Sequence, residues 1–507
     1  MLARVRTFAI DGVLPRQVWV EVDIRAGLPA FTVVGLGDTA VRESRDRIRA
    51  AILNSGFTFP AHRITANLAP AFLRKAGPGF DAALALGVLA ASGQVPAHGL
   101  DAYAVFGELS LGGELRDSPG ALTVAEGARR AGCRRLVVPR ERALEAALVP
   151  GLEIVAVADL GGAAAVLAGA DPPPLPAPAP DRRPRAPRPD LRDVRGHAAP
   201  RLALEIAAAG GHNLLMEGPP GTGKTMLARR MPSILPELTA DEAFEVTRIH
   251  SVAGQRVGPV VTERPFRAPH HTISAAGLAG GGNPPRPGEA SLAHLGVLFL
   301  DELSEFARPA LDSLRQPLED GTVSIVRGQR AVSFPTRFML VAATNPCPCG
   351  FAGAGDGRCG CAEADLRRHR RRLSGPLLDR MDLVVDVHRP DPEALRGPEA
   401  ETSAAVRARV LEARERQGRR LAGTGLRANG EMDAGTAQRL ARLDRAAEEE
   451  LSRAYAGGML SARGRHRVLR VARTLADLAA RDRITAGDVL TALSLRQRPV
   501  AEPALAP

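Results

Sequence analysis

The alternation of apolar and polar positions divides the chain into three parts. In the first part, up to residue 165, short alternating runs predict strands at 18–22, 31–34 and 104–106, and the helical period predicts helices at 39–54 and 80–92. The second part, 190–390, contains short continuous apolar runs, which are typical of buried parallel strands. From residue 401 the pattern predicts helices alone, over 401–421, 434–455, 461–481 and 486–495.

A proline-rich segment separates the first part from the second. Residues 172–189 hold nine prolines in eighteen positions, a composition typical of an extended linker. We therefore predict an α/β multidomain protein, with an α+β domain over 1–168, a linker over 169–189, a parallel α/β domain over 190–395 and an all-helical domain over 396–498.

A glycine-rich segment between a predicted strand, 213–217, and a predicted helix carries the first candidate chemistry. Its spacing, G-x-x-x-x-G-K-S/T, is that of the phosphate-binding loop. In such a loop the backbone amides surround the phosphates, Lys224 reaches the β and γ oxygens, and Thr225 binds Mg²⁺. The predicted nucleotide-binding residues are Gly218, Pro219, Pro220, Gly221, Thr222, Gly223, Lys224 and Thr225.

Polar side chains follow two further predicted strands. The apolar run 296–300 ends in Asp301 and Glu302, and we expect Asp301 to hold Mg²⁺ through water and Glu302 to polarise the attacking water. The run 338–343 leads to Asn345, which is predicted to orient the same water. The alternative for this asparagine is a turn-forming role before a proline.

Arg380 lies inside a segment, 377–383, that is otherwise apolar and acidic. An arginine in this position would complete a neighbour's nucleotide site as an arginine finger. A surface salt bridge explains the same residues equally well.

Four of the five cysteines lie in a loop rich in glycine, 347–361. Four thiolates at such spacing close a tetrahedral Zn²⁺ site, and a closed site of this kind is structural. Disulfide pairing and an iron–sulfur cluster are the alternatives. The predicted zinc ligands are Cys347, Cys349, Cys359 and Cys361. Three histidines, His270, His271 and His294, fit no ligand set and are expected to make structural hydrogen bonds.

The charge of the chain favours a polyanionic partner. Its formal net charge is +11, which fits nucleic acid, although arginine enrichment by genome composition explains the same number. The segment 321–334 predicts a hairpin with Arg327 and Arg330 at its tip, where both side chains would grip phosphates. The sequence lacks an apolar stretch of the roughly 18 residues that a membrane span needs, so we expect a cytoplasmic protein.

The motifs GPPGTGKT, FLDE, ATN and LLDR, in this order and followed by helices, resemble those of AAA+ ATPases. Longer strings narrow the resemblance, namely LEIAAAGGHN at 204–213, FRAPHHTIS at 266–274 and SLAHLGVLFL at 291–300. Together they are similar to the magnesium-chelatase-like ATPases of the YifB/ComM family. The similarity extends over essentially the whole chain.

The resemblance implies a ring, expected to be a hexamer, with nucleotide bound between subunits. It makes Arg380 a finger that acts on the neighbour's nucleotide, and it identifies Arg463 as the sensor-2 arginine, with Arg467 as the alternative. The hairpin 321–334 resembles the pre-sensor-1 hairpin of helicase-type AAA+ proteins, whose tip faces the pore. One departure is His197, which stands where the family has glutamine.

The first part of the chain resembles the fold shared by Lon proteases and ribosomal protein S5, through the residues 69–81 and 107–113. Gly79 stands at the position of the Lon serine, and the position of the catalytic lysine falls near Leu122. Without a nucleophile or base, peptidase chemistry is excluded. Lys75, which is one of only two lysines in the chain, is left with two possible roles, in binding nucleic acid or another subunit.

These observations lead to one expected function and one alternative. We expect an ATP-hydrolysing motor that uses ATP, Mg²⁺ and a structural Zn²⁺ and acts on single-stranded or branched DNA, as branch-migration helicases do in recombination and natural transformation. The alternative is a magnesium-chelatase-like ATPase subunit that remodels a protein partner. The intact carboxylates Asp301 and Glu302 argue against a non-catalytic DNA-binding scaffold.

Overall fold

The structure is a computed structural model of the 507-residue chain. It describes residues 1–496 except 36, 38, 74, 76, 178–188, 256–259, 328–329, 353–356 and 373–374. Most of the predicted linker at 169–189 lies outside the described residues, as do the tip of the predicted hairpin and the last two residues of the predicted helical domain.

The N-terminal part is built on a mixed seven-stranded sheet with strand order β3-β4-β2-β1-β5-β8-β9. Strands β1, β2 and β4 pair antiparallel, and the other neighbours pair parallel. The elements are β1 (Leu2–Asp11), β2 (Leu14–Arg25), β3 (Ala30–Val34), α1 (Thr39–Asn54), β4 (Arg63–Ala69), α2 (Asp81–Ala91), β5 (Tyr103–Val105), β6 (Glu108–Leu109), β7 (Leu115–Arg116), α3 (Ala121–Arg130), β8 (Arg135–Pro139), α4 (Ala143–Ala146), β9 (Glu153–Val157) and α5 (Leu160–Leu167).

Helix α2 explains the apolar run near residue 85. All of its residues are buried, because it lies against β1 and β2 on one side and contacts α1 and α5 on others. A helix that is apolar on every face is stable only when it is buried in this way. The strands and helices predicted in this part of the chain are therefore confirmed.

The central part contains a parallel five-stranded sheet with strand order β11-β14-β17-β10-β18. The elements are α6 (Ala198–Gly210), β10 (Leu214–Glu217), α7 (Lys224–Ala228), α8 (Met231–Ile234), α9 (Ala240–Val252), β11 (Phe266–Arg267), α10 (Ala275–Ala279), β12 (Gly280–Gly281), β13 (Arg286–Pro287), α11 (Glu289–Leu292), β14 (Val297–Leu300), α12 (Arg308–Ser313), α13 (Arg315–Asp320), β15 (Thr322–Arg327), β16 (Arg330–Pro335), β17 (Met339–Thr344), α14 (Glu363–Arg372), α15 (Gly375–Leu378), β18 (Leu383–Asp386) and α16 (Pro392–Arg396).

The predicted hairpin is the antiparallel pair β15–β16. Four of its apolar residues form a buried cluster with Val13, in the turn between β1 and β2, and with Ile249 of α9. These four are Val323, Ile325, Val332 and Phe334. The turn between β1 and β2 lies so close to the hairpin that a Cβ atom on Gly12 would be 2.6 Å from the backbone oxygen of Ser333. A hydrogen bond from Ser251 to Glu145 also joins the two parts. The N-terminal sheet therefore contacts the hairpin directly.

The C-terminal part is helical, and it comprises α17 (Ser403–Arg420), α18 (Ala434–Leu440), α19 (Arg445–Ala456), α20 (Ala462–Leu478) and α21 (Ala486–Ser494). The prediction of one helix over 434–455 is wrong, because Leu443 pairs with Ile484 and Asp444 caps the start of α19. A buried hydrogen bond of 2.8 Å between His212 and Thr474 fixes these helices to the central part.

The arrangement confirms the predicted fold class, an α/β multidomain protein with a parallel AAA+-type sheet and a C-terminal helical region. Among the described residues, no helix combines the length and the apolar character that a bilayer crossing requires.

Candidate nucleotide-binding site

The predicted phosphate loop connects the end of β10 to the start of α7, which begins at Lys224. Gly221 and Gly223 have φ angles of 77° and 93°, a region that favours glycine. A Cβ atom on Gly218 would lie 2.2 Å from the backbone oxygen of Val387. The backbone therefore requires glycine at these three positions, and the loop leads into a helix N-terminus as a phosphate site demands.

The ammonium group of Lys224 is held inside this loop. Its Nζ donates hydrogen bonds to the backbone oxygens of Gly218 at 2.6 Å and Pro219 at 2.8 Å, and to Oδ1 of Asn345 at 3.2 Å. Burial lowers the pKa of Lys224, and the nearby carboxylates of Asp301, Glu217 and Glu302 partly offset this effect. The charged lysine thus lies between the loop and a row of carboxylates.

The predicted Mg²⁺ ligands lie side by side. The Thr225 hydroxyl donates a hydrogen bond of 2.6 Å to Oδ2 of Asp301, and the amide of Glu302 donates one of 3.0 Å to Oδ1. Hydroxyl and carboxylate oxygens are ligands that Mg²⁺ prefers. The two side chains therefore fit the group that the sequence predicts there.

Glu302 stands at the end of β14 in an unusual backbone conformation. Its φ is 52°, which is uncommon for residues other than glycine, and its side chain is 56 % exposed. Nδ1 of His271 lies 3.4 Å from Oε2 of this carboxylate. The order of residues along the chain does not predict this contact, because it depends on the pairing of β11 with β14.

The strand order brings Lys224, Asp301 and Asn345 together. Strands β14, β17 and β10 are consecutive in the sheet and parallel, so their carboxyl ends meet at one edge. The amide oxygen of Asn345 faces Lys224 across this edge.

The predicted arginines lie elsewhere. Arg380, Arg463 and Arg467 line a cavity of about 880 Å³ between the central sheet and the C-terminal helices, and no residue of the loop 218–225 lines it. Arg380 forms an ion pair with Glu319, which is the salt bridge that the sequence left open. Arg463 is exposed at the head of α20, and burial lowers the pKa of Arg467 to about 10.

His197, the departure from the family pattern, lies beside the phosphate loop. A Cβ atom on Gly223 would lie 3.5 Å from its Nε2. Burial lowers the pKa of His197, which favours the neutral imidazole.

The four clustered cysteines bring their sulfur atoms close together. The Sγ atoms of Cys347, Cys349 and Cys359 are 3.3–3.8 Å apart, and all four sulfurs lie within 4.8 Å of one another. Ligands at about 2.3 Å in a tetrahedron are about 3.8 Å apart, whereas a disulfide is about 2 Å long. The arrangement fits a metal ion better than two disulfides.

The cysteine loop packs directly on the phosphate loop. A Cβ atom on Gly350 would lie 2.6 Å from Cδ of Pro220 and 3.9 Å from Cγ of Asn345. After the cysteines, α14 returns to the sheet, where Nε2 of His369 lies 2.9 Å from the backbone oxygen of Asn345.

Arg327 and Arg330 are the last and first residues of the two hairpin strands and face each other in the ladder. Their side chains and the tip, 328–329, lie outside what the structure describes. Their contact with nucleic acid stays a prediction.

Comparison with known proteins identifies the family. Three family models match: subunit ChlI of Mg-chelatase over residues 20–142, magnesium chelatase subunit ChlI over 190–395, and the C-terminal region of the same subunit over 400–496. Protein YifB of Escherichia coli is 43 % identical over 498 residues, which cover 98 % of this chain and 97 % of YifB. Competence protein ComM of Haemophilus influenzae is 41 % identical over 502 residues, with 98 % and 97 % covered.

The chain belongs to the YifB/ComM family of magnesium-chelatase-like ATPases. The magnesium-chelatase 38 kDa subunit of Rhodobacter capsulatus is more distant, with 26 % identity over 260 residues that cover 44 % of this chain and 68 % of the subunit. The predicted family is thereby confirmed. Membership makes the protein an AAA+-type ATPase that uses ATP and Mg²⁺, and the loop around Lys224 with the oxygens of Thr225 and Asp301 fits both.

Proposed function

We propose that this ATPase is the motor of a ring, expected to be a hexamer, that acts on single-stranded or branched DNA as a branch-migration or helicase-type enzyme in recombination or natural transformation. The observation that best supports a motor is the separation of two groups of residues. One group is the phosphate loop with its carboxylates. The other is the cavity that Arg380, Arg463 and Arg467 line, which we call the arginine cavity.

Each group at the sheet edge has one role in hydrolysis. Lys224 binds the β and γ oxygens, and Thr225 and Asp301 hold Mg²⁺, which neutralises charge that develops on the phosphates. Glu302 polarises the attacking water, and Asn345 orients it. Since the Asn345 oxygen already bonds to Lys224, the same side chain is in place to sense the γ-phosphate.

The separation of the arginines supports a ring. Arg380 and Arg463 line one cavity, and the loop of the same chain is not part of its wall. We therefore expect two arginines that act on a nucleotide to meet the nucleotide of a neighbouring subunit. In a closed ring, the arginine cavity of each subunit would face the nucleotide of one neighbour, and its own nucleotide would face the arginine cavity of the other neighbour.

Three observations support DNA as the substrate. The net charge is +11, the hairpin β15–β16 ends in Arg327 and Arg330, and one relative over the full length is a competence protein. The likeness to the magnesium-chelatase subunit favours the alternative, an ATPase that remodels a protein partner. That likeness covers 44 % of the chain.

We also propose a structural Zn²⁺ on Cys347, Cys349, Cys359 and Cys361. The four sulfur atoms lie within 4.8 Å of one another, which is close enough for all four thiolates to bind one ion. Zinc would fix the packing of the loop against Pro220.

ATP hydrolysis with and without forked DNA, measured together with displacement of a labelled strand, tests the DNA motor. We expect DNA to stimulate hydrolysis and ATP to be needed for displacement. If DNA neither stimulates hydrolysis nor loses a strand, the DNA part of the proposal is wrong, and stimulation by a protein fraction alone would favour the alternative.

Mixed subunits test whether Arg380 acts across an interface. Glu302→Gln and Arg380→Ala should each lower turnover by about 10²- to 10³-fold or more. A mixture of the two should regain activity, because some interfaces then pair an intact Glu302 with an intact Arg380. A mixture as inactive as its components would show that Arg380 acts within its own chain.

A further inference from the structure

A second basic cleft lies close to Glu302. It has a volume of about 520 Å³, and the described residues that line it include four arginines and one carboxylate, Glu305. The lining residues are Ser304, Glu305, Phe306, Arg308, Arg368, Arg371 and Arg372. None of them belongs to the phosphate loop or to the arginine cavity.

Helix α14 supplies one wall of this cleft. Arg368, Arg371 and Arg372 have the i, i+3, i+4 spacing that places side chains on one face of a helix. His369 is buried on another face and fixes the helix to the end of β17 through the oxygen of Asn345. The opposite wall is the segment after Glu302, which ends in Arg308 at the start of α12.

The arginines in the cleft are weakly engaged. The ion pair from Arg372 to Glu305 is 4.0 Å long, from Arg368 to Asp365 3.7 Å, and from Arg308 to Asp312 3.8 Å. Their side chains are 58–73 % exposed, and exposed pairs at such distances contribute little. The guanidinium groups therefore have donors to offer to a ligand.

We infer that this cleft binds phosphate groups of a nucleic-acid backbone and transmits their presence to the ATP site; the inference rests on the proposed action on DNA. Guanidinium groups form paired hydrogen bonds with phosphate, and four of them around one carboxylate give the cleft a net positive charge. The segment that carries Arg308 continues through α12 and α13 into the hairpin β15–β16, so the cleft and the hairpin belong to one run of chain.

Two sets of contacts lead from the cleft to the groups that handle ATP. Phe306 lines the cleft and meets His271 edge to face, with ring centroids 6.4 Å apart, and His271 contacts Glu302 at 3.4 Å. On the other wall, His369 of α14 bonds to Asn345. A phosphate bound between the walls draws α14 and Phe306 together, and His271 then changes its hold on the carboxylate that activates water.

The test compares two double variants with equal loss of charge. Arg308→Gln with Arg371→Gln removes one guanidinium from each wall. Arg419→Gln with Arg445→Gln is the control, since both arginines are exposed on C-terminal helices and each pairs with a glutamate four residues away. Binding of a fluorescent single-stranded oligonucleotide is measured by anisotropy over a range of salt, together with the ratio of turnover with DNA to turnover without it.

We expect the cleft variant to bind DNA at least about 10-fold more weakly than the wild type. The slope of log affinity against log salt should be shallower by about 0.7 for each lost phosphate contact. Its ratio of turnover with DNA to turnover without DNA should approach one. The control should behave as the wild type. Equal binding and stimulation in both variants would overturn the inference. Loss of the oligomer in the cleft variant alone, measured by light scattering, would also overturn it, because the cleft would then be a contact between subunits.

A wild-type protein that neither binds DNA nor responds to it would instead refute the proposed function. Failure of the proposed function can therefore be distinguished from failure of the inference about the cleft. His271→Ala tests whether His271 positions Glu302 and so links the cleft to the ATP site. We expect DNA binding and the KM for ATP to stay near wild type, the stimulation ratio to fall, and His271→Asn, which keeps a donor, to restore part of it. A wild-type ratio in His271→Ala would exclude the link through His271.

Discussion

The two lysines of the chain make nearly identical hydrogen bonds in two different regions of the molecule. Lys75, after β4, donates from Nζ to the backbone oxygens of Gly35, at 2.9 Å, and Pro70. Lys224 donates to the backbone oxygens of Gly218 and Pro219. Burial lowers the pKa of both.

The surroundings separate the two sites. Lys224 also reaches the side chain of Asn345, and three carboxylates partly offset the effect of its burial. Burial is the one cause that shifts the pKa of Lys75, and this lysine joins the ends of β3 and β4 through a bridge to Gly37. A buried ammonium is not presented to DNA or to another subunit, so the structure supports neither role that the sequence left open for Lys75. A buried lysine therefore serves chemistry where other titratable groups surround it, as at Lys224.

The largest expected effect comes from changing Lys224 to arginine. The planar guanidinium does not fit where the loop carbonyls hold a compact ammonium, so turnover should fall about 10²- to 10³-fold. Steady-state hydrolysis measures this, with circular dichroism to confirm folding. Arg229→Gln, which alters the exposed end of α7, is the control. Turnover near wild type in Lys224→Arg would remove the distinction between the two lysines.

Loss of the proposed zinc site should have a smaller effect on turnover, because it changes only the surroundings of Lys224. Cys361→Ser should release the ion and lower turnover about 10-fold, because Gly350 then no longer fixes Pro220. Elemental analysis measures the metal, and Cys133→Ala should keep it. A variant that loses zinc and keeps full turnover would show that the cysteine loop does not support the phosphate loop.

For Lys75, we expect a change in stability and none in chemistry. Lys75→Met leaves two buried carbonyl oxygens without a donor, which should lower the free energy of unfolding by about 2–3 kcal/mol. Turnover per folded molecule should stay within about twofold. Denaturant unfolding monitored at Trp19 and ATP hydrolysis measure the two quantities. A large loss of turnover in folded Lys75→Met would mean that this lysine takes part in the ATPase cycle after all.

The smallest effect is a pH dependence. Because burial lowers the pKa of Lys75 in the folded protein, the unfolded chain binds this proton more tightly. Stability should therefore rise as pH rises from the folded-state pKa towards the ordinary lysine value of 10.5. Unfolding curves at pH values just below 10.5 should show this rise in the wild type and a weaker one in Lys75→Met. Equal slopes would show that Lys75 does not titrate differently in the two states.

The sequence was most informative where chemistry depends on spacing along the chain. The phosphate loop, Asp301 after β14, Asn345 after β17 and the four cysteines are all local patterns. The structure places Thr225 beside Asp301, Lys224 beside Asn345, and the four sulfur atoms within 4.8 Å of one another. The contacts that the sequence does not predict depend on strand order and on the packing of helices. His271 meets Glu302 because β11 lies next to β14. Arg463 lines a cavity between the central sheet and the C-terminal helices, and no residue of the loop 218–225 lines this cavity.

The turn between β1 and β2 has a mechanical consequence. Ten residue pairs, from Leu2–Asp23 to Asp11–Leu14, form a ladder of roughly 30 Å, and the far end of this ladder is seated on the hairpin at Ser333. A two-stranded ladder inside a sheet bends little, so it behaves as a strut. If the hairpin moves along DNA as proposed, its movement pushes this strut, and the N-terminal sheet moves with it. A fluorophore near Met1, at the end of the ladder opposite the hairpin, would then report that movement.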